Sequence, residues 1–297
     1  MLDIMSTSAK LFLAEFRRAN LNSNGKYMIE NIYSTDDIDW NGVWRKNVFH
    51  VNSDQSWDKR VESFSAHAID SPYAANFIAF LKPQPHWTVF DMGCGSGTLA
   101  LPLALKVKAV TAADFSSRML AALQNYAAAR QINNISTLKL SWTDNWSTVL
   151  DKSYDVAIAS RSLLVEDFKG AIEKLAKIAR KYVYLVLLVD SGKEHDLVYQ
   201  ALGRRLKTPL DYCCCYNILY QMGIRANINI LTEHVCISYA TREAAVDAIT
   251  EKYVKDLNEQ EMTILKTHVN NKLAQNVAGW HHQNPLPYRC AVVWWEL

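Results

Sequence analysis

Thr88–Leu105 reads TVFDMGCGSGTLALPLAL, and this stretch decides the fold. Val89, Phe90 and Asp91 have strand-like alternation and run into Gly93, Cys94, Gly95, Ser96 and Gly97. Thr98 then opens an apolar run of helical character. A strand, a glycine turn and a helix start, in that order, let backbone come close to a ligand, because glycine has no Cβ to hold it off. Two familiar loops are excluded by particular residues. The dinucleotide fingerprint G-x-G-x-x-G needs glycine at position 98, where the chain has Thr98. A Walker A loop would close on Gly-Lys-Ser/Thr, and nothing of that kind follows Gly97.

Length and composition bound what surrounds the loop. The 297 residues suit one large domain, or one domain with substantial appendages. Hydrophobic residues make up 49% and charged residues 21%, which is enough apolar material for a globular core and excludes a disordered chain. Nine tryptophans and fourteen tyrosines can line a pocket or fill that core. A net charge of +2 argues neither for nor against nucleic acid, since a basic footprint can be local. Arg204, Arg205 and Lys207 are the densest basic cluster, and a solvated helix end explains them. The start, MLDIMSTSAK, has no basic-then-apolar signal pattern. The apolar run around Val183–Val189 is too short to span a bilayer. A cytoplasmic protein with no membrane partner is therefore expected.

Cysteines stand at 94, 213, 214, 215, 236 and 290, with no C-x-x-C spacing. Adjacent cysteines do not easily turn both sulfurs toward one tetrahedral ion, so no metal site is expected and free thiols are. Cys213–Cys215 still invite thiophilic metal chemistry; small buried residues around a helix start are the plainer alternative.

Residues 1–86 carry little strand signal. Leu11, Phe12, Leu13 and Phe16 have the spacing of a short amphipathic helix, and further helices are expected from Trp57 to Phe64 and from Ser71-Pro72 to Leu81. This stretch reads as a helical N-terminal arm, either a lid or a dimerisation element, ahead of a main domain at 87–297. From Val89 strand and helix alternate, the pattern of a doubly wound α/β domain with a mostly parallel sheet. Strands are expected at Ala109–Asp114, Ile135–Leu140, Asp155–Ser160 and Val183–Val189; the last suits a central strand buried on both faces. Helices are expected at Ser116–Ala129, Phe168–Arg180, Glu194–Leu206 and Tyr212–Met222, with Lys169, Lys174, Lys177 and Lys181 as a solvated face. Asn227–Ser238 and Arg289–Glu296 read as the last two strands, with a mostly helical stretch at about 241–283 between them.

The D-x-G-x-G-x-G pattern of Asp91–Gly97 resembles the first motif of class I S-adenosylmethionine-dependent methyltransferases, and the resemblance covers about Thr88–Ser238 and the final strand. It implies a seven-stranded, mostly parallel sheet whose last two strands form an antiparallel hairpin. The helical stretch then becomes an insertion near the sheet's C-terminal rim, suited to cover a substrate. The resemblance implies S-adenosyl-L-methionine as cofactor, with Gly93, Cys94, Gly95, Gly97 and Thr98 carrying its methionine end and Asp91 close to its amino group. Asp114, at the end of the second strand, matches the ribose anchor, since a carboxylate accepts hydrogen bonds from hydroxyls. An ordinary helix-capping acid is the alternative. As a ribose anchor, Asp114 is expected to leave the melt of the unliganded protein nearly unchanged when replaced by alanine. Phe115, Ser116 and Met119 follow it, and Phe115 and Met119 offer apolar surface to adenine. Asp144 matches the acid that takes the adenine amino group, with Trp142 and Thr143 beside it; a helix N-cap at Asp144 or Ser147 is the alternative. From the arm, Arg60 and Tyr73 are expected to reach toward the carboxylate end.

The fourth strand ends in Ser160, Arg161 and Ser162, which face the methyl group if strand order follows the family. The N-P-P-Y or D-P-P-Y of enzymes acting on planar amino groups is not there, nor is the Lys-Asp-Lys-Glu set of ribose 2′-O enzymes. Hydroxyls and a fixed cation suit a carboxylate or phenolate, while Arg161 pairing with Glu166 or Asp167 is the alternative. Arg161 and His281 are the catalytic candidates. His67, His281 and His282 have the residue type of a base, and surface or core histidines are the alternative for each. The expectation is a methyltransferase acting on a small molecule, with nucleic acid not expected as a partner and a homodimer left open. An RNA or protein methyltransferase, or a non-catalytic S-adenosylmethionine-binding protein, are the rivals.

Overall fold

Along the central strands successive residues alternate between two apolar surfaces, and that alternation sets up three layers. The computed structural model describes residues 37–47, 61, 71–189, 192–204, 212–234, 237–283 and 287–297. Within Trp40–Leu297, one compact unit, the sheet has seven strands: β1 (Thr88–Met92), β2 (Ala109–Asp114), β3 (Ile135–Lys139), β4 (Tyr154–Ser160), β5 (Ala179–Leu188), β6 (Asn227–His234) and β9 (Pro287–Glu296). Their order is β3-β2-β1-β4-β5-β9-β6, parallel from β3 to β5, with β9 antiparallel to both neighbours. This is the doubly wound, mostly parallel sheet expected of the sequence. β5 runs through the middle with Val183, Leu185 and Leu187 on one surface and Tyr184 and Val186 on the other.

Each face is covered by helices whose apolar positions recur every three or four residues. On the first face lie α1 (Trp40–Asn47), α5 (Phe168–Ile178) and α7 (Tyr212–Gln221). α5 is capped by Asp167, whose Oδ1 accepts the Gly170 N–H, and it buries Phe168, Ala171, Ile172, Leu175 and Ile178. The opposite face carries α2 (Pro72–Leu81), α3 (Ala100–Ala104) and α4 (Ser117–Ala129). α2 starts on Pro72, which needs no hydrogen bond there, and buries Tyr73, Ala74, Phe77 and Leu81. α1 and α2, the described helices of the stretch read as an arm, thus pack into the two outer layers.

Three differences from the sequence reading have physical causes. α3 begins at Ala100 rather than Thr98, which leaves Pro102 in the first turn, where its missing N–H costs nothing. α5 ends at Ile178, and β5 starts at once, because the buried Asp155 carboxylate draws Arg180 (3.0 Å) and Lys181 (3.3 Å) into extended chain at the foot of β4. Between β6 and β9 the insertion carries α8 (Arg242–Thr250) and α9 (Glu259–Asn271), but also a hairpin of β7 (Leu273–Asn276) and β8 (Gly279–His282) that the sequence reading missed. The insertion docks on α6 (Gly192–Leu202) through Leu197, Val198, Tyr253, Leu257, Leu265 and Val269. No helix among the described residues is long and apolar enough to cross a membrane.

Asp155 also accepts the Thr88 N–H at 2.9 Å, tying β4 to β1. Burial alone would raise its carboxyl; Thr88, Lys181 and Arg180 outweigh that and hold it below the ordinary carboxylate range. A depressed carboxyl contributes stability above its unfolded pKa of about 3.9 and loses it as pH falls through the folded value. Asp155→Asn should therefore cost roughly 1.5–3 kcal/mol in urea unfolding at pH 7. The gap from the parent protein should close progressively below about pH 4.

Candidate functional site

β1, β2, β4 and β5 end on one rim of the sheet, above which opens a cleft of about 980 Å³. That is at the upper end of ligand-site volumes. The glycine loop after β1 forms its floor and is fastened to the end of β2. The N–H groups of Gly93 and Cys94 donate to Ala113 O at 2.7 and 3.0 Å, and the Gly95 N–H donates to Asp114 Oδ2 at 2.9 Å. Gly93 has φ +75° and Gly97 φ +100°. A Cβ on Gly93 would lie 2.2 Å from Cβ of Ser162, and one on Gly97 2.4 Å from Cδ1 of Leu123. The loop is thus pressed between the exit of β4 and α4, and both positions require glycine.

Polar atoms around this loop are left without partners. Asp91 is only 2% exposed and its Oδ2 accepts no hydrogen bond. Burial, and then the neighbouring Asp114, push its pKa up to about 7. Ser96 Oγ and Thr98 Oγ1 are likewise buried and unpartnered. Buried polar atoms are rarely left so, and Asp91 and Thr98 both line the cleft, so the set marks a place for a ligand.

The structure brings together Asp91, Gly93, Cys94, Gly95, Thr98, Asp114, Phe115, Met119, Trp142, Thr143, Ser160 and Arg161 as cleft lining. Gly97, Ser116, Asp144 and His281 are not part of the lining. Gly97 is used up against Leu123 and Leu101. Ser116 is the N-cap of α4, its Oγ accepting the Met119 N–H at 3.1 Å. Asp144 is exposed and closes a turn by accepting the Ser141 N–H on Oδ2 at 2.7 Å. His281 sits in β8 of the insertion, as does His282. Arg60 and His67 lie outside the described residues, and so does Cys236. Among the described cysteines Cys213 is exposed, while Cys94, Cys214, Cys215 and Cys290 are buried free thiols. Among the described residues no group of three or more His, Cys, Asp or Glu is placed to hold a metal ion.

One wall was missed by the sequence reading: Leu164, Val165, Glu166, Asp167, Gly170, Ala171 and Lys174, with Leu188 at the end of β5. Small residues at Gly170 and Ala171 were the only signal, and a weak one. Lys174 is no solvated lysine, since its ammonium donates to the carbonyls of Trp142 (2.6 Å) and Asp144 (2.9 Å). Trp142 stacks on Trp146 at 5.4 Å and donates its indole N–H to Ser162 O at 2.8 Å. α1 secures the same wall: Trp44 Nε1 donates to Val165 O at 2.7 Å, and Asn41 meets both Asp167 and the Lys169 N–H.

At the exit of β4, Arg161 pairs with neither Glu166 nor Asp167. Its guanidinium carbon sits 4.3 Å over the Tyr73 ring and its Nη1 donates to the Tyr288 hydroxyl at 3.3 Å. The Tyr73 and Ser160 hydroxyls are 2.6 Å apart, and Ser162 Oγ donates to Met92 O at 2.6 Å.

Comparison with known proteins agrees with this picture. Residues 89–181 match the family model described as a methyltransferase domain. An uncharacterized protein of Haemophilus influenzae is 33% identical over 244 residues, covering 81% of this chain and 88% of that protein. A ribosomal protein L11 methyltransferase of Campylobacter fetus is 27% identical over 192 residues, 57% of this chain and 65% of that protein. Among solved structures, a putative methyltransferase from Bacillus halodurans has a TM-score of 0.50 at 10% identity, over 75% of this chain and 97% of that one; such a likeness speaks for the fold alone.

Asp114 carries a structural load that the sequence reading did not foresee. Besides Gly95, it accepts the Ser116 N–H on Oδ1 at 2.9 Å, and it is 5% exposed. Asp114→Ala leaves these two buried donors unsatisfied, at roughly 1–3 kcal/mol each. The expectation of an unchanged melt is replaced: the unliganded Asp114→Ala protein should melt several degrees lower, as differential scanning calorimetry would show.

Proposed function

Since the chain belongs to the class I S-adenosylmethionine-dependent methyltransferases, we propose that its methyl acceptor is a small molecule held within the cleft. The sign of the cleft carries this reading. Four carboxyl side chains line it (Asp91, Asp114, Glu166 and Asp167) against two cations, Arg161 and Lys174, and Lys174 is taken up by carbonyls. An RNA substrate needs a run of free cations beside the reaction centre, and the described lining offers the opposite. The walls of Trp142, Leu164, Val165 and Leu188 suit an enclosed, partly apolar acceptor.

The residues fit the cofactor. Asp91 Oδ2, buried and unpartnered, suits the amino group, and the backbone of Gly93–Gly95 suits the methionine end because a side chain at Gly93 would already collide with Ser162. Asp114 keeps lone pairs on both oxygens for ribose hydroxyls, and Phe115 and Met119 offer apolar surface to the base. When bound, S-adenosylmethionine supplies an activated methyl group. The chain's own work is to hold the acceptor atom in line and exclude water, which is worth on the order of 7–11 kcal/mol in favourable cases. Proton removal is not assigned to the hydroxyls at the exit of β4. Ser162 is bonded to Met92 O, and burial keeps the Tyr73 phenol far above its usual pKa.

Two measurements test the reading. With methyl-labelled cofactor, label should enter a low-mass metabolite fraction; label in RNA or protein alone would overturn the acceptor class. Calorimetry should show S-adenosylhomocysteine binding and no NAD binding. Asp91 has a folded pKa near 7, above its unfolded value of about 3.9. The unliganded fold therefore loses stability as pH rises between those values. An ammonium ligand needs the carboxylate form, so affinity for S-adenosylhomocysteine should be full above about pH 7 and fall by up to about tenfold per unit below it. Asp91→Asn should bind weakly and with a flat pH profile. A wild-type affinity independent of pH would remove Asp91 from the amino-group site.

A further inference from the structure

Arg161 leaves β4 in a left-handed conformation, φ +54°, which an L-residue adopts only when its surroundings hold it there. Its N–H donates to Val186 O at 2.8 Å, locking the turn against β5. The side chain then lies across the Tyr73 ring and reaches Tyr288 on β9. Among the described residues no carboxylate meets it. Its neighbours are the Tyr73 and Tyr288 phenols and the Cys290 thiol, all kept neutral because burial raises them. Glu233 on β6 acts on Tyr288 and Cys290 and has partners of its own. A partly buried guanidinium without a counter-ion is costly unless a ligand provides one.

We propose that Arg161, framed by Tyr73 and Tyr288, binds a carboxylate carried by the methyl acceptor. The inference rests on the cofactor assignment above and extends it to the second ligand. Tyr73 covers one face of the guanidinium and the Tyr288 hydroxyl takes one Nη1 hydrogen, and a guanidinium's other donors suit paired hydrogen bonds with a planar carboxylate. One cation without a carboxylate partner, in a lining that also carries Glu166 and Asp167, favours a monoanion over a phosphate dianion. Asp91 ends β1 and Arg161 follows β4, the next strand; from there its guanidinium reaches the Tyr288 hydroxyl of β9, on the side away from β1. The cleft reaches Leu188 on β5, which leaves room there for a second molecule. Arg161, expected among the cofactor contacts, is thereby assigned to the acceptor.

The test uses the full chain, first with cofactor analogues alone. Arg161→Met should bind S-adenosylhomocysteine and methylthioadenosine, which lacks the amino-acid portion, within about threefold of the parent protein. A loss confined to S-adenosylhomocysteine would assign Arg161 to the cofactor's carboxylate and overturn the proposal. Benzoate is then titrated into protein saturated with S-adenosylhomocysteine, with benzamide as the neutral control. Benzoate should bind and benzamide should not; Arg161→Met should weaken benzoate at least about tenfold, and Tyr288→Phe should weaken it less. Preserved S-adenosylhomocysteine binding certifies that each variant is folded. Equal benzoate binding by the parent protein and Arg161→Met, or no benzoate binding by the parent protein, overturns the carboxylate subsite alone. Failure of the parent protein to bind S-adenosylhomocysteine overturns the cofactor assignment and this inference with it.

Discussion

The hydrogen bond from the Gly95 N–H to Asp114 joins the two strand ends on which the cleft depends. β1 and β2 are adjacent and parallel, so their C-terminal ends arrive together, and just beyond β1 the Ala113 carbonyl of β2 accepts the N–H groups of Gly93 and Cys94. Asp114 extends that hold to Gly95 with one oxygen while its other oxygen holds the start of α4. The loop then runs close enough to Ser162 and Leu123 that side chains at Gly93 and Gly97 would collide. One carboxylate thus fixes the loop, the helix start and the spacing between them. The fold gains order from a group whose remaining lone pairs point to a ligand.

Asp91 works in the other direction. Its carboxyl is buried beside Asp114, and two carboxyls that close resist joint ionisation. The unliganded protein holds Asp91 at the edge of protonation, and in the proposed site a ligand ammonium removes that cost. Stability given up at Asp91 then becomes affinity. The two acids differ because one has backbone donors and the other has none.

What the sequence revealed followed from how local each interaction is. β2 was legible to the residue, since an alternating apolar run ends in an acid and a serine cap. The positions of Asp91 and Asp114 on the cleft were legible because strand ends and glycines confine them within a short span. The turn at Asp144 was not, because an acid just past a strand can face a ligand or accept a nearby backbone N–H, here that of Ser141. The end of α5 was misjudged because basic residues at 180 and 181 suit a helix C-terminus, yet Asp155 draws them into a strand. The β7–β8 hairpin lacks alternation and a familiar turn pair; Gly279 is needed because Tyr239 O lies where a Cβ would be. Arg161 had acids near it in sequence, but its partners, Tyr73 and Tyr288, come from distant parts of the chain.

Those distant partners show how the two halves of the cleft are built differently. The β1–β2 half is held by its own strands and loop. The β4–β5 half is held from outside the sheet, by helices on opposite faces. On one face, α1 fixes the wall at Val165–Lys169 through Trp44 and Asn41; on the other, α2 fixes Ser160 and Arg161 through Tyr73. Substitutions in α1 or α2 can therefore reshape the β4–β5 half while the Asp114 brace is left alone. Constraint on the β1–β2 half is short-range and strict, since glycine and acid positions admit few replacements. Constraint on the β4–β5 half passes through aromatic packing and two tyrosine hydroxyls, which tolerate change in smaller steps. Under the proposed function the first half holds the cofactor and the second the acceptor, the division that a class of enzymes with one cofactor and many acceptors needs.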